Sequence, residues 1–232
     1  MYSEPRYLPG GDRALIVEFA DEISEEVSQM VRRFSLALAR YPLPGVLETV
    51  PTYRSLVVYF DPLAMEGPRL VEKLKGLQKR ILEIDLPPAR TVLVPVLYGS
   101  EYGPDLGDVA SHNGLTPEEV IAIHASSTYL IYMLGFTPGF AYLGGLSPRI
   151  VCPRLDNPRE QIPGGSVGIA GIQTGIYPID SPGGWRIIGR TPLRLYDPDV
   201  DPPALFQAGD YLKFSPIDEE GFYRIAEGGR SR

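Results

Sequence analysis

Residues 135–146, GFTPGFAYLGGL, residues 165–178, GSVGIAGIQTGIYP, and residues 181–192, SPGGWRIIGRTP, carry the clearest structural pattern in this chain. In all three, short apolar runs are separated by glycine and proline turns. Short strands with frequent turn signals favour a closed or nearly closed β-barrel over a parallel α/β sheet. The pattern predicts further short strands, over residues 128–133, 167–170, 175–179, 186–188, 211–214 and 222–225.

The segment that precedes this block predicts one strand and two short helices. Residues 91–97 form the strand, and a helix begins at Asp105 and ends at Gly114. A second helix begins at Thr116, because Thr116-Pro-Glu-Glu has the spacing of a capping box with proline in the first helical turn. These elements lead into the barrel.

The N-terminal part alternates strands and helices. Residues 14–20 read as a strand, and Ser24 caps a helix that should end near Tyr41, before the prolines that follow. Residues 46–50 and 55–60 flank a short turn and predict a hairpin. The order β-α-β-β-α follows once a second helix is added, and it predicts a small α+β sandwich with both helices on one sheet face.

That second helix and a double proline close the N-terminal unit. Pro68 suits a first helical turn, and the leucines that follow it form one apolar stripe. Pro87-Pro88 then ends the unit, and the composition shifts towards glycine and proline. We therefore expect an α+β protein with two domains, residues 1–88 and residues 89–232.

Composition and charge exclude several classes of protein. The net charge of -7 offers no basic face for nucleic acid, and 44% hydrophobic residues are typical of a globular chain. The single cysteine, Cys152, cannot form an internal disulfide, and no signal peptide is evident, so we expect a cytoplasmic protein. The most apolar stretch, residues 128–146, is broken by glycine and proline and does not predict a membrane span.

Familiar catalytic motifs are missing from the sequence. No G-x-x-x-x-G-K-[ST] occurs, and Lys213 is the only lysine beyond Pro88, which excludes a P-loop ATP site. There is no G-x-S-x-G motif, no C-x-x-C pair and no histidine cluster, so we expect no metal.

The glycines of the barrel block have two possible interpretations. They can let the backbone approach a ligand, or they can form the corners of a tight barrel.

The barrel block resembles a known family. The strings at residues 135–146, 153–159 (PRLDNPR), 165–178 and 181–192 are similar to the core of the family that contains the kinase inhibitor KipI, the B subunit of 5-oxoprolinase and allophanate hydrolase subunit 1. Gly164 departs from the alanine expected before this family's Gly-Ser pair. The resemblance implies a C-terminal cyclophilin-like β-barrel and a protein that works only with partner chains.

The resemblance also implies a reaction. The implied enzyme opens 5-oxoproline to glutamate with ATP and water, and it binds ATP at an interface between its chains. It also needs A and C subunits, the latter related to allophanate hydrolase subunit 2. Two alternatives stay open: an inhibitor that binds a sensor histidine kinase, and a component of a urea or allophanate pathway.

Three arginines are candidates for binding the anionic groups of this reaction. Phosphorylating a lactam oxygen calls for positioned cations, and guanidinium groups suit phosphate and carboxylate. We predict Arg190 and Arg154 as catalytic residues and Arg159 as a substrate contact. The alternative is that one or more of these arginines forms an ion pair that holds a loop, with Asp156, Asp180 or Asp197 as partner.

Further candidates line the same block. Gln173 and Thr174 could bind the lactam amide, or could make turn hydrogen bonds instead. Tyr142, Tyr177 and Trp185 could wall a pocket for a small planar ring, or could be core residues.

His124 is the remaining catalytic candidate. It lies at the end of a predicted helix, where the helix dipole would favour a protonated imidazole. His112 reads as a residue of a helix C-terminus, and Cys152 as a small packed residue, since no base is evident near it.

Overall fold

The structure is a computed structural model that describes residues 1–228. Its contacts divide the chain into two compact units, Met1–Pro88 and Ala89–Arg232. No helix among the described residues is long and apolar enough to cross a membrane.

The N-terminal unit is a four-stranded antiparallel sheet with two helices. The strands run in the order β1-β2-β4-β3. Along the chain, the elements are β1 (Arg6–Pro9), β2 (Ala14–Glu18), α1 (Glu25–Arg40), β3 (Val46–Pro51), β4 (Ser55–Phe60), α2 (Gly67–Gln78) and a 3-10 turn (Ile81–Glu83). Buried residues of both helices and of the two central strands form one hydrophobic core.

Local chemistry explains where these helices begin. The Ser24 hydroxyl accepts a hydrogen bond from the Val27 N–H, and Glu25 and Glu26 lie at the positive end of α1.

The observed layout of the N-terminal unit has one strand more than the predicted β-α-β-β-α order. That strand, β1, pairs with β2 at the sheet edge and is mostly exposed.

The C-terminal unit is built on a seven-stranded sheet that nearly closes into a barrel. The strand order is β10-β9-β12-β5-β13-β6-β7, and the end strands β7 and β10 lie side by side. The strands are β5 (Thr91–Tyr98), β6 (Thr128–Leu134), β7 (Ala141–Gly144), β9 (Ser166–Ala170), β10 (Gln173–Ile176), β12 (Arg186–Arg190) and β13 (Tyr211–Pro216). β5 and β13 pair in parallel, and the other pairs described for this sheet are antiparallel.

A separate ribbon and three helices complete this unit. β8 (Arg159–Ile162) pairs with β11 (Ser181–Gly183). The helices are α3 (Leu106–Asn113), α4 (Pro117–Ser126) and α5 (Glu219–Gly228). The capping box predicted at Thr116 is confirmed, since both of its reciprocal hydrogen bonds to Glu119 are formed.

The strand predicted over residues 222–225 is wrong. These residues lie within α5. The Asp218 carboxylate accepts a hydrogen bond from Gly221 N–H at 2.8 Å, and Glu219 and Glu220 occupy the first turn, which stabilises the start of a helix.

Candidate functional site

One concavity of the C-terminal unit is walled mainly by aromatic rings; we call it the aromatic cavity. It has a volume of about 370 Å³. Three of its rings, Tyr142, Tyr177 and Trp185, come from the sequence prediction. The full lining is Phe136, Phe140, Tyr142, Arg154, Pro158, Tyr177, Pro182, Gly183, Gly184 and Trp185.

The rings hold one another by edge-to-face packing around Phe140. The Phe140 centroid lies 5.1 Å from that of Tyr142, 5.7 Å from that of Tyr177 and 5.7 Å from that of Trp185. Such pairs add to the free energy gained by burial alone. Phe140, Tyr177 and Trp185 are buried in one small core cluster, so the inner wall is fixed before any ligand binds.

Glycines make the room that these rings need. A Cβ on Gly183 would lie 2.3 Å from the Tyr177 hydroxyl, and a Cβ on Gly175 would lie 3.0 Å from the Trp185 ring. Gly183 also lines the cavity, so this glycine both permits close packing and shapes the cavity wall.

The Tyr177 hydroxyl is un-ionised at neutral pH. Burial raises its pKa, and this outweighs a hydrogen bond from the Trp185 backbone and the positive charges of Arg154 and Arg159, which lower the pKa. The cavity wall carries no negative charge from this phenol.

Arg154 is exposed and lines the aromatic cavity. Among residues 1–228, no carboxylate lies within 4.0 Å of its guanidinium. Its predicted catalytic role stays a prediction, and its position supplies an unpaired positive charge beside the aromatic walls.

Arg159 has a carboxylate partner, which is not one of the three aspartates considered from the sequence. Its two terminal nitrogens donate to the two oxygens of Asp105, at 2.9 and 2.7 Å. Asp105 is buried and also accepts the Ile187 N–H at 2.6 Å. The bidentate pair raises the pKa of Arg159 and ties β8 to the start of α3. These contacts support a structural role, and its substrate contact stays a prediction.

Arg190 lies at a second concavity, away from the lining of the aromatic cavity. It ends β12 and lines a groove of about 680 Å³, and its Nε donates to the Gly164 carbonyl oxygen at 3.0 Å. Arg190 and Arg154 thus line different concavities, although the sequence analysis predicted both as catalytic residues of one reaction.

His124 and Thr174 lie in the barrel core, and both are fully buried. The Thr174 hydroxyl donates to the Gly168 carbonyl at 2.9 Å, so it accepts the Nε2–H of His124, also at 2.9 Å. The Tyr98 hydroxyl then donates to Nδ1 at 2.8 Å. Every polar atom of this chain of hydrogen bonds is satisfied, as buried polar groups require.

Burial lowers the pKa of His124 to about 3, so the imidazole is neutral at neutral pH rather than protonated as its helix position suggested. The contacts of His124 and Thr174 support a structural role, and their predicted roles in the reaction gain no support from their positions. Gln173 begins β10, is half-buried, and does not line the aromatic cavity. Its substrate contact also stays a prediction.

Comparison with known proteins places these features in a family. The family model described as "Carboxyltransferase domain, subdomain C and D" matches residues 5–206. The chain is 45% identical over 229 residues to the B subunit of 5-oxoprolinase from Bacillus subtilis, and the match covers 94% of this chain and 95% of that protein. The chain belongs to the family of 5-oxoprolinase B subunits.

Two solved structures share its fold. TTHA0988 is 39% identical with a TM-score of 0.78, and the match covers 89% of this chain but only 40% of that longer chain. The urea carboxylase of Kluyveromyces lactis matches 97% of this chain and 23% of its own, with a TM-score of 0.75 and 22% identity. At that identity the likeness to urea carboxylase shows the fold alone.

Some residues that line the aromatic cavity were not predicted from the sequence. Phe136 and Phe140 face each other edge-on at 5.6 Å in the turn between β6 and β7, and Pro182 and Gly184 come from the β11 segment. The pair of phenylalanines in GFTPGF could have indicated this part of the wall. Two large apolar side chains in a glycine-proline turn are unusual unless they pack against an apolar surface.

The described residues, 1–228, contain no group of three or more His, Cys, Asp or Glu side chains placed to hold a metal ion.

Proposed function

We propose that this chain is the B subunit of an ATP-dependent 5-oxoprolinase and that the aromatic cavity binds 5-oxoproline. The observation that carries the proposal is the cavity itself, in which fixed aromatic walls meet one unpaired arginine, in a chain 45% identical to a relative named as that component of the enzyme. The reaction consumes ATP and water and yields glutamate, ADP and phosphate.

The ligand matches the cavity in shape and charge. 5-Oxoproline is a small, nearly flat lactam ring that carries one carboxylate. Flat rings pack well against aromatic faces and edges, and guanidinium groups bind carboxylates through two parallel hydrogen bonds. Ligand pockets commonly have volumes of about 300 to 1,000 Å³, and this cavity of about 370 Å³ lies at the small end of that range, as a small ligand requires.

The chemistry assigns a limited task to this chain. A five-membered lactam resists hydrolysis because its amide resonance must be lost, and transfer of a phosphoryl group to the carbonyl oxygen makes the carbon electrophilic. The cavity residues would bind and orient the ring, and Tyr177, whose hydroxyl is neutral, would add no repulsion to the substrate carboxylate. The described lining residues of the cavity include no carboxylate and no histidine to act as a general base, so we assign ring opening to groups outside it.

Because the cavity residues would only bind and orient the substrate, we expect other chains to supply the rest of the reaction. We propose that separate A and C subunits complete the enzyme, and that the isolated chain has negligible 5-oxoprolinase activity. We further infer that the nearly closed sheet is a cyclophilin-like barrel, which is consistent with its short antiparallel strands and its single parallel pair among the described strands.

The test is steady-state kinetics of the complex reconstituted with the A and C subunits. Arg154→Ala should raise KM for 5-oxoproline about tenfold to a hundredfold, because one charge-assisted hydrogen-bonded contact is lost. Arg154→Lys should recover only part of the affinity, since an ammonium group lacks the planar fork. The control is Arg149→Ala, which removes an exposed arginine of the same unit that does not line the cavity. An unchanged KM in Arg154→Ala, or no 5-oxoproline-dependent ATP hydrolysis by the wild-type complex, would reject the proposal.

A further inference from the structure

The groove at Arg190 is the larger of the two concavities, at about 680 Å³, and the substrate proposal above leaves it without an occupant. It lies within the C-terminal unit, between the end of β12 and helix α5. We call it the Arg190 groove. Its lining includes two arginines, Arg190 and Arg194, which we call the arginine end, and the rings of Tyr102, Phe222 and Tyr223, which we call the aromatic end.

The arginine end holds a fixed positive charge that forms no close ion pair among the described residues. Arg190 ends a central strand of the barrel, where its backbone is paired to β5 and to β9, and its Nε is anchored on the Gly164 carbonyl. Within the described part of the chain, no carboxylate lies within 4.0 Å of it.

Two of the three aspartates considered as partners bind other groups, although the positive charge of Arg190 still helps to lower the pKa of Asp180. Asp180 accepts the Gly164 N–H at 2.7 Å and the Gln161 amide at 3.1 Å, and Asp197 pairs with Arg194 at 2.8 Å. A half-buried arginine that uses one donor of five to hold a loop keeps four donors for an anion.

The aromatic end is built by Tyr102 and by two rings of α5. The Tyr102 and Phe222 rings lie 5.0 Å apart, and the Tyr102 and Tyr223 hydroxyls lie 3.1 Å apart. Tyr223 is 50% exposed, so its ring is open to a ligand. The hydrogen bond between the two hydroxyls is the main cause that raises the pKa of Tyr102 to about 12, which keeps the phenol neutral.

Acidic side chains lie near the aromatic end. Glu101 and Glu219, together with Tyr102, line an adjoining concavity, and both carboxylates raise the pKa of Tyr102. A phosphate group would be repelled there and attracted at Arg190. A neutral ring would tolerate the acidic side, since stacking needs no charge.

We propose that the Arg190 groove binds a nucleoside phosphate, with the phosphates at Arg190 and the base against Tyr102 and Tyr223. The inference rests on the proposed function, which requires ATP, and it assigns nucleotide binding to this chain rather than to a partner. The bond from Arg190 to Gly164 alone would make the arginine a loop clamp, but it accounts neither for the unpaired guanidinium end nor for the exposed ring opposite.

The first test is isothermal titration of the purified chain with ATP, ADP, adenosine and inorganic phosphate, each in the presence of Mg²⁺. ATP should bind more tightly than either adenosine or phosphate. Arg190→Ala should weaken ATP and phosphate about tenfold to a hundredfold and leave adenosine unchanged. Tyr223→Ala should weaken ATP and adenosine by about fivefold or more and leave phosphate unchanged.

Two further variants control for folding and for charge. Arg190→Gln keeps a donor for the Gly164 carbonyl, so it should melt like the wild type and still lose ATP affinity. Arg69→Ala removes one exposed arginine from the other unit and should bind all four ligands normally. If ATP affinity falls equally in Arg69→Ala, or if Arg190→Gln binds ATP normally, the assignment is wrong.

The kinetics of the reconstituted complex separate this inference from the proposed function. Arg190→Gln should raise KM for ATP and leave KM for 5-oxoproline unchanged, which is the opposite of Arg154→Ala. If the chain alone shows no detectable binding of ATP or phosphate at millimolar concentrations, the groove assignment is wrong. The proposed function would still hold if the reconstituted complex hydrolyses 5-oxoproline. Binding of phosphate as tightly as ATP, with no effect of Tyr223→Ala, would overturn the nucleoside part.

Discussion

Replacing Asp105 by alanine should destabilise the C-terminal unit strongly, because one buried carboxylate joins three segments of it. Asp105 is 4% exposed. It accepts two hydrogen bonds from Arg159 on β8 and one from the Ile187 N–H on β12, and it immediately precedes α3.

The magnitude follows from what each partner loses. The buried Ile187 N–H would be left without an acceptor, which costs about 1 to 3 kcal/mol. The Arg159 side chain is 34% exposed, so water can solvate part of its guanidinium once Asp105 is removed. The cost of leaving Arg159 unpaired should therefore lie well below the roughly 3 to 5 kcal/mol typical of a fully buried pair. We expect the free energy of unfolding to fall by about 3 to 4 kcal/mol in Asp105→Ala. The loss in Asp105→Asn should be smaller, since the amide oxygen can still accept from Ile187.

The neighbouring ion pair provides a matched control. Asp108 pairs with Arg186 at 2.8 Å, but its side chain is 62% exposed. Exposed pairs contribute roughly 0 to 1 kcal/mol, so Asp108→Ala should change the free energy of unfolding by less than about 1 kcal/mol.

Urea unfolding followed by tryptophan fluorescence measures both variants. Trp185 is the single tryptophan and is buried in the C-terminal unit, so its signal reports the unit that contains Asp105. A loss below about 1 kcal/mol in Asp105→Ala, or an equal loss in Asp108→Ala, would refute the reasoning.

Three further predictions concern buried groups. Because the pKa of His124 is about 3 in the folded chain and about 6.5 when unfolded, only the unfolded state gains its proton as pH falls. The free energy of unfolding should therefore drop by about 2 kcal/mol between pH 7 and pH 5, and His124→Gln should lack this part of the drop in urea titrations at the two pH values. Gly183→Ala should lower the melting temperature and weaken 5-oxoproline binding, since its Cβ would lie 2.3 Å from the Tyr177 hydroxyl. Gly107→Ala should do neither, since its Cβ would have no atom within 4 Å and Gly107 does not line the cavity. Burial raises the pKa of Cys152, so a thiol reagent should label it far more slowly in native protein than in urea, and equal rates would contradict its buried position.

Elements with local signals were predicted closely. The helix expected after Ser24 and ending near Tyr41 is α1, and the hairpin expected at residues 46–60 is β3 and β4. Each has a cap, a turn or an apolar periodicity within a few residues, and such local chemistry forms the same structure in most contexts.

Elements that depend on distant partners were missed. β1 is mostly exposed and lies between prolines, so only its pairing with β2 makes it a strand. The segment of α5 was predicted as a strand because residues 222–225 form a short apolar run. Phe222, Ile225 and Ala226 recur at the spacing of a helix face, and that signal was present in the sequence.

The sequence predicted aromatic residues that line one cavity, but not which arginine lies beside them. Tyr142, Tyr177 and Trp185 were proposed as pocket walls and do line one cavity. That Arg154 belongs to this cavity and Arg190 to another could not be read from spacing, because the two lie in segments that a barrel can place anywhere around its circumference.

Pairing is the property that sorts the arginines of the barrel. Arg159 and Arg186 pair with carboxylates of the α3 segment, so their charges are already neutralised, and removal of Arg159, whose partner Asp105 is buried, should be seen first as lost stability. Arg154 and Arg190 line concavities without a carboxylate in range among the described residues. In a chain of net charge -7, carboxylates are plentiful, so an arginine that faces a hollow without one has a charge left for a ligand. We therefore propose that these two arginines bind two anionic groups, and the substrate carboxylate and the phosphates of ATP are the two that the proposed reaction supplies.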